Sequence, residues 1–145
     1  MMDRSPSDLL ADTAVTPVPG HAGRYAVEIP DRWSFLFPSG GVLTSAALRA
    51  ISAEVADPEL SLLSSTTVFA QAVPAGPCEV DVRVIRRGRA ATQVHASLRS
   101  CEREGPGLEV LAVLARDREG PDFVDRAMPE VAAPVDSRVR RRMPR

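Results

Sequence analysis

The stretch Pro38-Ser39-Gly40-Gly41 runs into an apolar segment from Val42 to Val55. Small and apolar residues recur in that segment at helical spacing, so the sequence predicts one helix with a buried face. Many of these residues are alanines, whose small side chains let a sheet approach the helix closely. Ser39 stands at the N-cap position, and Asp57-Pro58 ends the helix.

β-type patterns surround this helix, and no second long helix follows it. Arg87-Gly88-Arg89 is typical of a tight hairpin between two of the strands. The last strand is apolar on both faces, which predicts an internal position in the sheet or a covering partner. We therefore predict an α+β fold, one central helix wrapped by a curved antiparallel sheet of about five strands. The predicted strands are Arg24 to Ile29, Leu62 to Val73, Cys78 to Arg86, Ala91 to Arg99 and Leu108 to Ala115.

The composition indicates one folded domain without a nucleic-acid or membrane partner. The 145 residues carry a net charge of −1, which gives no general nucleic-acid signal. No apolar run is long enough to cross a bilayer, and the first residues do not form a signal peptide. Cys78 and Cys101 lack a metal-like spacing, so we expect a reduced pair in a cytoplasmic protein and no metal.

Three regions are predicted along the chain. Residues 1–23 form a flexible arm with one short turn, residues 24–118 form a single domain, and residues 119–145 form a Pro/Arg-rich linker or tail that ends in the run Arg138 to Arg142. Before the helix, an apolar group is expected to plug one end of the core; its members are Trp33, Phe35, Leu36 and Phe37.

Three segments carry a resemblance to a known family: Trp33 with Pro38 to Leu43, Val68 to Pro77, and Val80 to Arg89. Through them the chain resembles the first half of the double-hotdog acyl-CoA thioesterases, from about Arg24 to Arg118 and faintly from Met128 to Val131. That family generally carries a second hotdog, with its acid and amide catalytic groups largely in that half, which we expect this chain to lack. The resemblance implies a single hotdog domain over residues 24–118 that pairs as a homodimer or with another hotdog domain.

The helix start is the candidate site for a thioester carbonyl. The first turn of a helix has N–H groups without internal acceptors, and the helix dipole favours negative charge there. Gly40 and Gly41, with the Val42 amide, are therefore candidates for binding the oxyanion that forms during hydrolysis. The alternative is that the two glycines only let the preceding loop pack tightly.

A general base is harder to place. The first turns of the helix offer Thr44, Ser45 and Arg49 but no acid. Asp31 could fold back toward the carbonyl as a catalytic base, although it also fits a surface turn. Gln71 resembles a water-positioning amide, with an ordinary strand-edge residue as the alternative.

Substrate contacts are predicted at the helix start and on one hairpin. Trp33, Val42, Thr44 and Ser45 surround its start. The resemblance also implies a basic patch for the coenzyme A phosphates, since arginine side chains suit phosphate. That patch consists of Arg86, Arg87 and Arg89 on the hairpin, which could equally be a solvated turn that protects a sheet edge.

Two functions follow. The first is a thioesterase-like hotdog protein that hydrolyses acyl-CoA or acyl-carrier thioesters by water attack, with acyl-CoA as substrate and no other cofactor. The alternative is a non-catalytic hotdog that binds an acyl ligand or pairs structurally with another hotdog subunit.

Overall fold

The computed structural model describes residues 7–121, 123–133 and 135, which form an antiparallel sheet against one long helix. The six strands lie in the order β1-β2-β4-β5-β6-β3. A 3₁₀ turn, Asp31–Trp33, precedes the long helix. The elements are α1 Leu9–Asp12, β1 Thr16–Pro17, β2 Arg24–Ile29, α2 Gly40–Val55, β3 Ser61–Phe69, β4 Gly76–Arg87, β5 Ala91–Ser100 and β6 Leu108–Ala115.

The predicted architecture is confirmed. Strands β2 and β6 have the predicted bounds, and the sixth strand is the two-residue β1 at the edge of the sheet. Helix α2 begins at Gly40, two residues before the predicted start, while β3 ends at Phe69 and not at Val73. Both differences lie at element ends, where a sequence pattern gives the weakest signal.

Alanines let α2 lie close to the sheet. Ala46, Ala47 and Ala50 have no exposed surface, and the helix packs mainly on β4, β5 and β6. The rest of the core is almost entirely aliphatic, with Val80, Val94 and many similar residues buried around the helix. A large side chain on this helix face would push the two layers apart.

Strand β3 forms one edge of the sheet and is largely exposed. Among the described residues it pairs only with β6, and all of its residues except Thr67 are exposed. Strand β6 is internal, between β5 and β3, as its apolar sequence predicted. Its Leu111 is nevertheless exposed on the face of the sheet away from the helix. In the described part of the chain, no second layer covers this end of the sheet.

The amino-terminal segment packs on the domain. Asp8 caps α1 by accepting the amides of Leu10 and Ala11, and β1 pairs with β2. Asp12, at the end of α1, is buried. The carboxyl-terminal run Arg138 to Arg142 lies outside the described residues, so the predicted domain boundaries stay a prediction.

The aromatic prediction is wrong for the loop before α2. Trp33 packs partly buried against the core, but Phe35 is 94% exposed and Leu36 is 81% exposed, with Phe37 also exposed. A bridge between Ser34 and Pro38 closes the base of this loop and turns the three side chains between them outward.

Two smaller expectations concern the membrane and the cysteines. In the described part of the chain, no helix has the length and apolar character required to cross a bilayer. Cys78 is buried and Cys101 is exposed, and both are free thiols.

Candidate functional site

The start of α2 presents two open backbone amides. The Ser39 carbonyl accepts the amides of Val42 at 3.0 Å and Leu43 at 3.3 Å. The Ser39 hydroxyl makes no capping hydrogen bond, although the residue stands at the N-cap. Within the described residues, the N–H groups of Gly40 and Gly41 have no acceptor. The two donors remain available to a ligand.

The two glycines have different surroundings. A Cβ on Gly40 would lie 2.8 Å from Cζ of Phe69, so this glycine permits close packing against the end of β3. A Cβ on Gly41 would meet only the Ser39 hydroxyl, at 3.7 Å. Close packing therefore explains why residue 40 is a glycine. It does not explain why residue 41 is one, because Gly41 is exposed.

A buried carboxylate holds the segment that leads into this helix. Asp12 accepts hydrogen bonds from Nε of Arg32 at 2.9 Å and from Nε1 of Trp33 at 2.8 Å. The Trp33 carbonyl in turn accepts the amide of Ser39 at 3.1 Å. The Arg32 hydrogen bonds lower the pKa of Asp12 from 3.8 to about 2, against the opposing effect of burial. Asp12 is thus linked to the helix start by way of Trp33, which bonds to Asp12 through its indole and to Ser39 through its carbonyl.

The two candidates for water activation, Asp31 and Gln71, are both on the surface of the molecule. Asp31 is exposed on the 3₁₀ turn. Gln71 is also exposed, and its Nε2 donates to the carbonyl of Glu104 at 2.8 Å. The first turn of α2 contains no acidic residue. Their catalytic roles stay predictions.

The residues predicted to contact substrate divide between the core and the surface. Val42 is buried in the core, while Trp33 and Thr44 are partly buried. The hydroxyl of Ser45 donates to the carbonyl of Gly41 at 2.8 Å, so it is already used within the helix. Together with Gly40, these residues lie around the start of α2.

The arginine hairpin lies at the opposite end of α2. Arg87 donates from Nη1 to the Val55 carbonyl at 3.1 Å and from Nη2 to the Glu54 carbonyl at 3.3 Å. Arg86 and Arg89 are exposed. A helix of 16 residues is about 24 Å long, so the structure separates the hairpin from Gly40 and Gly41 by that distance.

Four surface clefts of the described chain lie away from the helix start: between β5 and the following loop, beside β1, beside the end of β6, and on the outer face around Leu111. None of these four is lined by Gly40 or Gly41. In the described residues, no group of His, Cys, Asp and Glu side chains could hold a metal ion.

Comparisons with known proteins show the family and the fold of the chain. Residues 29–116 match the family model of the acyl-CoA thioesterase N-terminal domain. No curated protein matches the chain.

Three solved structures show the same fold over most of the chain. A candidate thioesterase II from Thermobifida fusca YX is 28% identical, with a TM-score of 0.69, over 87% of this chain and 45% of that one. A hot dog fold protein from Alicyclobacillus acidocaldarius is 20% identical, with a TM-score of 0.73, over 88% of this chain and 47% of that one. The acyl-CoA thioesterase II TesB2 from Mycobacterium marinum is 18% identical, with a TM-score of 0.72, over 89% of this chain and 46% of that one. The chain therefore spans less than half the length of these relatives.

Proposed function

Because the chain belongs to the acyl-CoA thioesterase N-terminal domain family, we propose that it acts in the cytoplasm on acyl thioesters of coenzyme A or of an acyl carrier. The observation that supports this most directly is the pair of open amides at Gly40 and Gly41. Attack of water on a thioester carbonyl places negative charge on its oxygen, and breaking of the C–S bond then releases the carboxylic acid and the thiol. Two aligned N–H donors at a helix start stabilise that charge.

The amino end of α2 suits this task in a second respect. No acidic side chain lies in the first helical turn, so none repels an oxyanion there. Gly41 has no side chain to shield its amide, and the Ser39 hydroxyl leaves the amides uncapped. The exposed Arg86 and Arg89 remain candidates for the phosphates of coenzyme A, about one helix length away.

A second hotdog unit would complete the site. The edge strand β3 ends at Phe69, which touches Gly40, so a unit paired along β3 would border the open amides. We propose that this unit is a second copy of the chain or a different hotdog domain. It would supply groups that the described residues do not direct at the carbonyl, above all a general base.

The non-catalytic alternative is favoured by a specific observation. Asp31 and Gln71 are exposed, and the Gln71 amide is already bonded to Glu104. A protein that binds an acyl ligand, or that only pairs with another hotdog, needs the open amides or the free edge but not a base.

Turnover of an acyl-CoA panel distinguishes these functions. The full chain is incubated with acyl chains of increasing length, free thiol is measured, and Asp31→Asn and Gln71→Ala are compared with Gln93→Ala, an exposed glutamine on β5 that serves as control. Hydrolysis that falls in the Asp31 or Gln71 variant but not in the control supports water attack with these residues. Acyl-CoA that raises Tm without turnover supports binding alone. If the chain neither hydrolyses any acyl-CoA nor changes its Tm in the presence of acyl-CoA, the proposed function is contradicted.

A further inference from the structure

Three of the four phenylalanines of the chain lie around the start of α2, and all three are exposed. Phe35 and Phe37 belong to the loop between Ser34 and Pro38, and Phe69 is the last residue of β3. Large apolar side chains that the chain itself does not cover are typical of surfaces that contact a ligand or a partner. Their place beside the open amides favours a ligand.

One of these rings touches the proposed site directly. A Cβ on Gly40 would lie 2.8 Å from Cζ and 2.9 Å from Cε1 of Phe69, so the ring packs on the backbone of Gly40. Phe37 stands three residues before Gly40, so the two Cα atoms are at most about 11 Å apart. A group bonded to the amides of Gly40 and Gly41 therefore has an aromatic surface next to it.

The base of the loop is held in front of the helix. A bridge joins Ser34 to Pro38, and the Ser39 amide donates to the Trp33 carbonyl at 3.1 Å. Residues 35–37 therefore leave the domain and return to it at one point, directly before α2. Loops that close over substrates turn at a few such positions while the elements on either side keep their place.

The loop buries a polar group and exposes apolar ones. Within the described residues, the hydroxyl oxygen of Ser34 is buried and has no hydrogen-bond partner. Phe35 is 94% exposed and Leu36 is 81% exposed. Both features cost free energy, so this arrangement competes with others in which the apolar side chains are covered. A ligand with an apolar part shifts the loop toward a covered arrangement.

We propose that the loop of residues 34–38 closes over the acyl chain of a bound thioester, with Phe35 and Phe37 packed on that chain and Phe69 beside the carbonyl. The inference rests on the proposed function, which places the carbonyl at the helix start, and it adds the substrate class. The preferred substrates are thioesters with long, apolar acyl chains, because each methylene group that the loop covers is removed from water.

The chemistry of the loop tip selects the acyl chain over the other arm of the substrate. The pantetheine arm of coenzyme A carries amides and a hydroxyl that need hydrogen-bond partners, whereas the side chains of residues 35–37 offer none. A hydrocarbon chain needs only a covering surface. The coenzyme A part of the ligand therefore lies away from the tip.

Binding of ketone analogues of acyl-CoA, which resist hydrolysis, to the full chain tests the proposal. The affinity of the wild type should rise with acyl length, by up to about fourfold for each CH₂ group that the loop covers. The double variant F35S/F37S should bind a long-chain analogue at least about tenfold more weakly and the acetyl analogue as tightly as the wild type. The control F123S removes an exposed phenylalanine outside this surface and should bind every analogue like the wild type. Circular dichroism and Tm check that the variants are folded.

Trp33 reports the movement of the loop. It is the only tryptophan of the chain and directly precedes Ser34, so its fluorescence should change when the long-chain analogue binds and stay constant when coenzyme A alone binds. Unchanged emission in the presence of the bound analogue would overturn loop closure.

The outcomes separate this proposal from the proposed function. If F35S/F37S keeps the chain-length dependence of the wild type, the acyl surface is overturned while binding or hydrolysis of acyl-CoA still stands. If the variants change only the self-association of the chain or its binding to lipid vesicles, the tip belongs to an interface and the proposal is overturned as well. If the loop responds as predicted but no acyl-CoA is hydrolysed, the acyl surface is supported and hydrolysis is contradicted. If no analogue of any length binds, both are contradicted.

Discussion

The two ends of α2 differ in whether the protein supplies hydrogen-bond partners for their backbone groups. At the carboxyl end, Arg87 donates to the carbonyls of Glu54 and Val55, and Ala56 adopts a left-handed conformation with φ of 50° while its amide donates to Ser52. Ion pairs of Arg116 with Asp57 and Glu59 fix the chain just beyond. At the amino end, the Ser39 hydroxyl caps nothing, and the amides of Gly40 and Gly41 have no acceptor among the residues that the structure describes.

This contrast relates the carboxyl end of α2 to stability and its amino end to the proposed function. Unsatisfied backbone groups cost free energy when a neighbouring surface buries them, so a thioester that covered this end would have to replace the water that reaches its amides. The carboxyl end contributes to folding. The amino end has a fixed position, given by Asp12 and Trp33, but its donors stay free.

Removing the anchor of the amino end should have the largest effect on stability. Asp12→Asn breaks a buried, charged hydrogen-bond network with Arg32 and Trp33, and we expect Tm to fall by several degrees. Trp33 is the only tryptophan, so its fluorescence should shift to longer wavelength as its surroundings loosen. The control Asp31→Asn changes an exposed carboxylate two residues before Trp33, and it should alter neither Tm nor the fluorescence of Trp33. An unchanged Tm and emission maximum in Asp12→Asn would show that the helix start does not depend on this network.

The same anchor predicts a specific acid response. The folded pKa of Asp12, about 2, lies below its ordinary value of 3.8. The stabilisation is therefore complete above about pH 4 and lost as the pH falls from there toward 2. Tm measured across this range should decline in the wild type more steeply than in Asp12→Asn. Parallel declines would contradict the assignment of this acid limb to Asp12.

Breaking the carboxyl-terminal cap should have a moderate effect. Arg87→Ala removes two hydrogen bonds to helix carbonyls and a cation that interacts favourably with the helix dipole, for a loss of about 1 kcal/mol. Arg86→Ala, next to it and exposed, should cost almost nothing in chemical denaturation. If both variants lose the same free energy of unfolding, general charge and not capping explains the role of Arg87.

Gly41→Ala should have the smallest effect on stability. Its methyl group meets no atom closer than 3.7 Å, and alanine favours a helix over glycine by about 0.5–1 kcal/mol. Equilibrium denaturation should therefore show unchanged or slightly raised stability. A clear loss would mean that Gly41, like Gly40, is required for close packing.

The sequence was sufficient for the elements that repeat regularly. Alternation predicted β2 to the residue, a continuous apolar run predicted β6 to the residue, and the alanine-rich period predicted α2, because local pattern and burial agree there. The resemblance gave the hotdog arrangement that the comparisons support.

What the sequence missed depends on contacts between distant residues. Nothing near Asp12 signals that it accepts hydrogen bonds from Arg32 and Trp33, 20 and 21 residues away. The sequence also gave no sign that Arg87 bonds to the end of α2, because that contact crosses 32 residues; its predicted role toward phosphate stays a prediction. Phe35 and Leu36 looked like core residues because apolar character alone does not show whether the covering layer belongs to the same chain.

The central claim, that the free Gly41 amide holds an acyl carbonyl, is tested most directly by comparing Gly41→Pro with Gly41→Ala. Proline is tolerated in the first turn of a helix but lacks the N–H, whereas alanine keeps it. The ligand is a ketone analogue of acyl-CoA, which keeps the carbonyl and resists hydrolysis, and coenzyme A itself is the control. We predict that the proline variant, folded by circular dichroism, binds the analogue at least tenfold more weakly than the alanine variant and binds coenzyme A equally well. Equal affinity of both variants for the ketone would contradict the account.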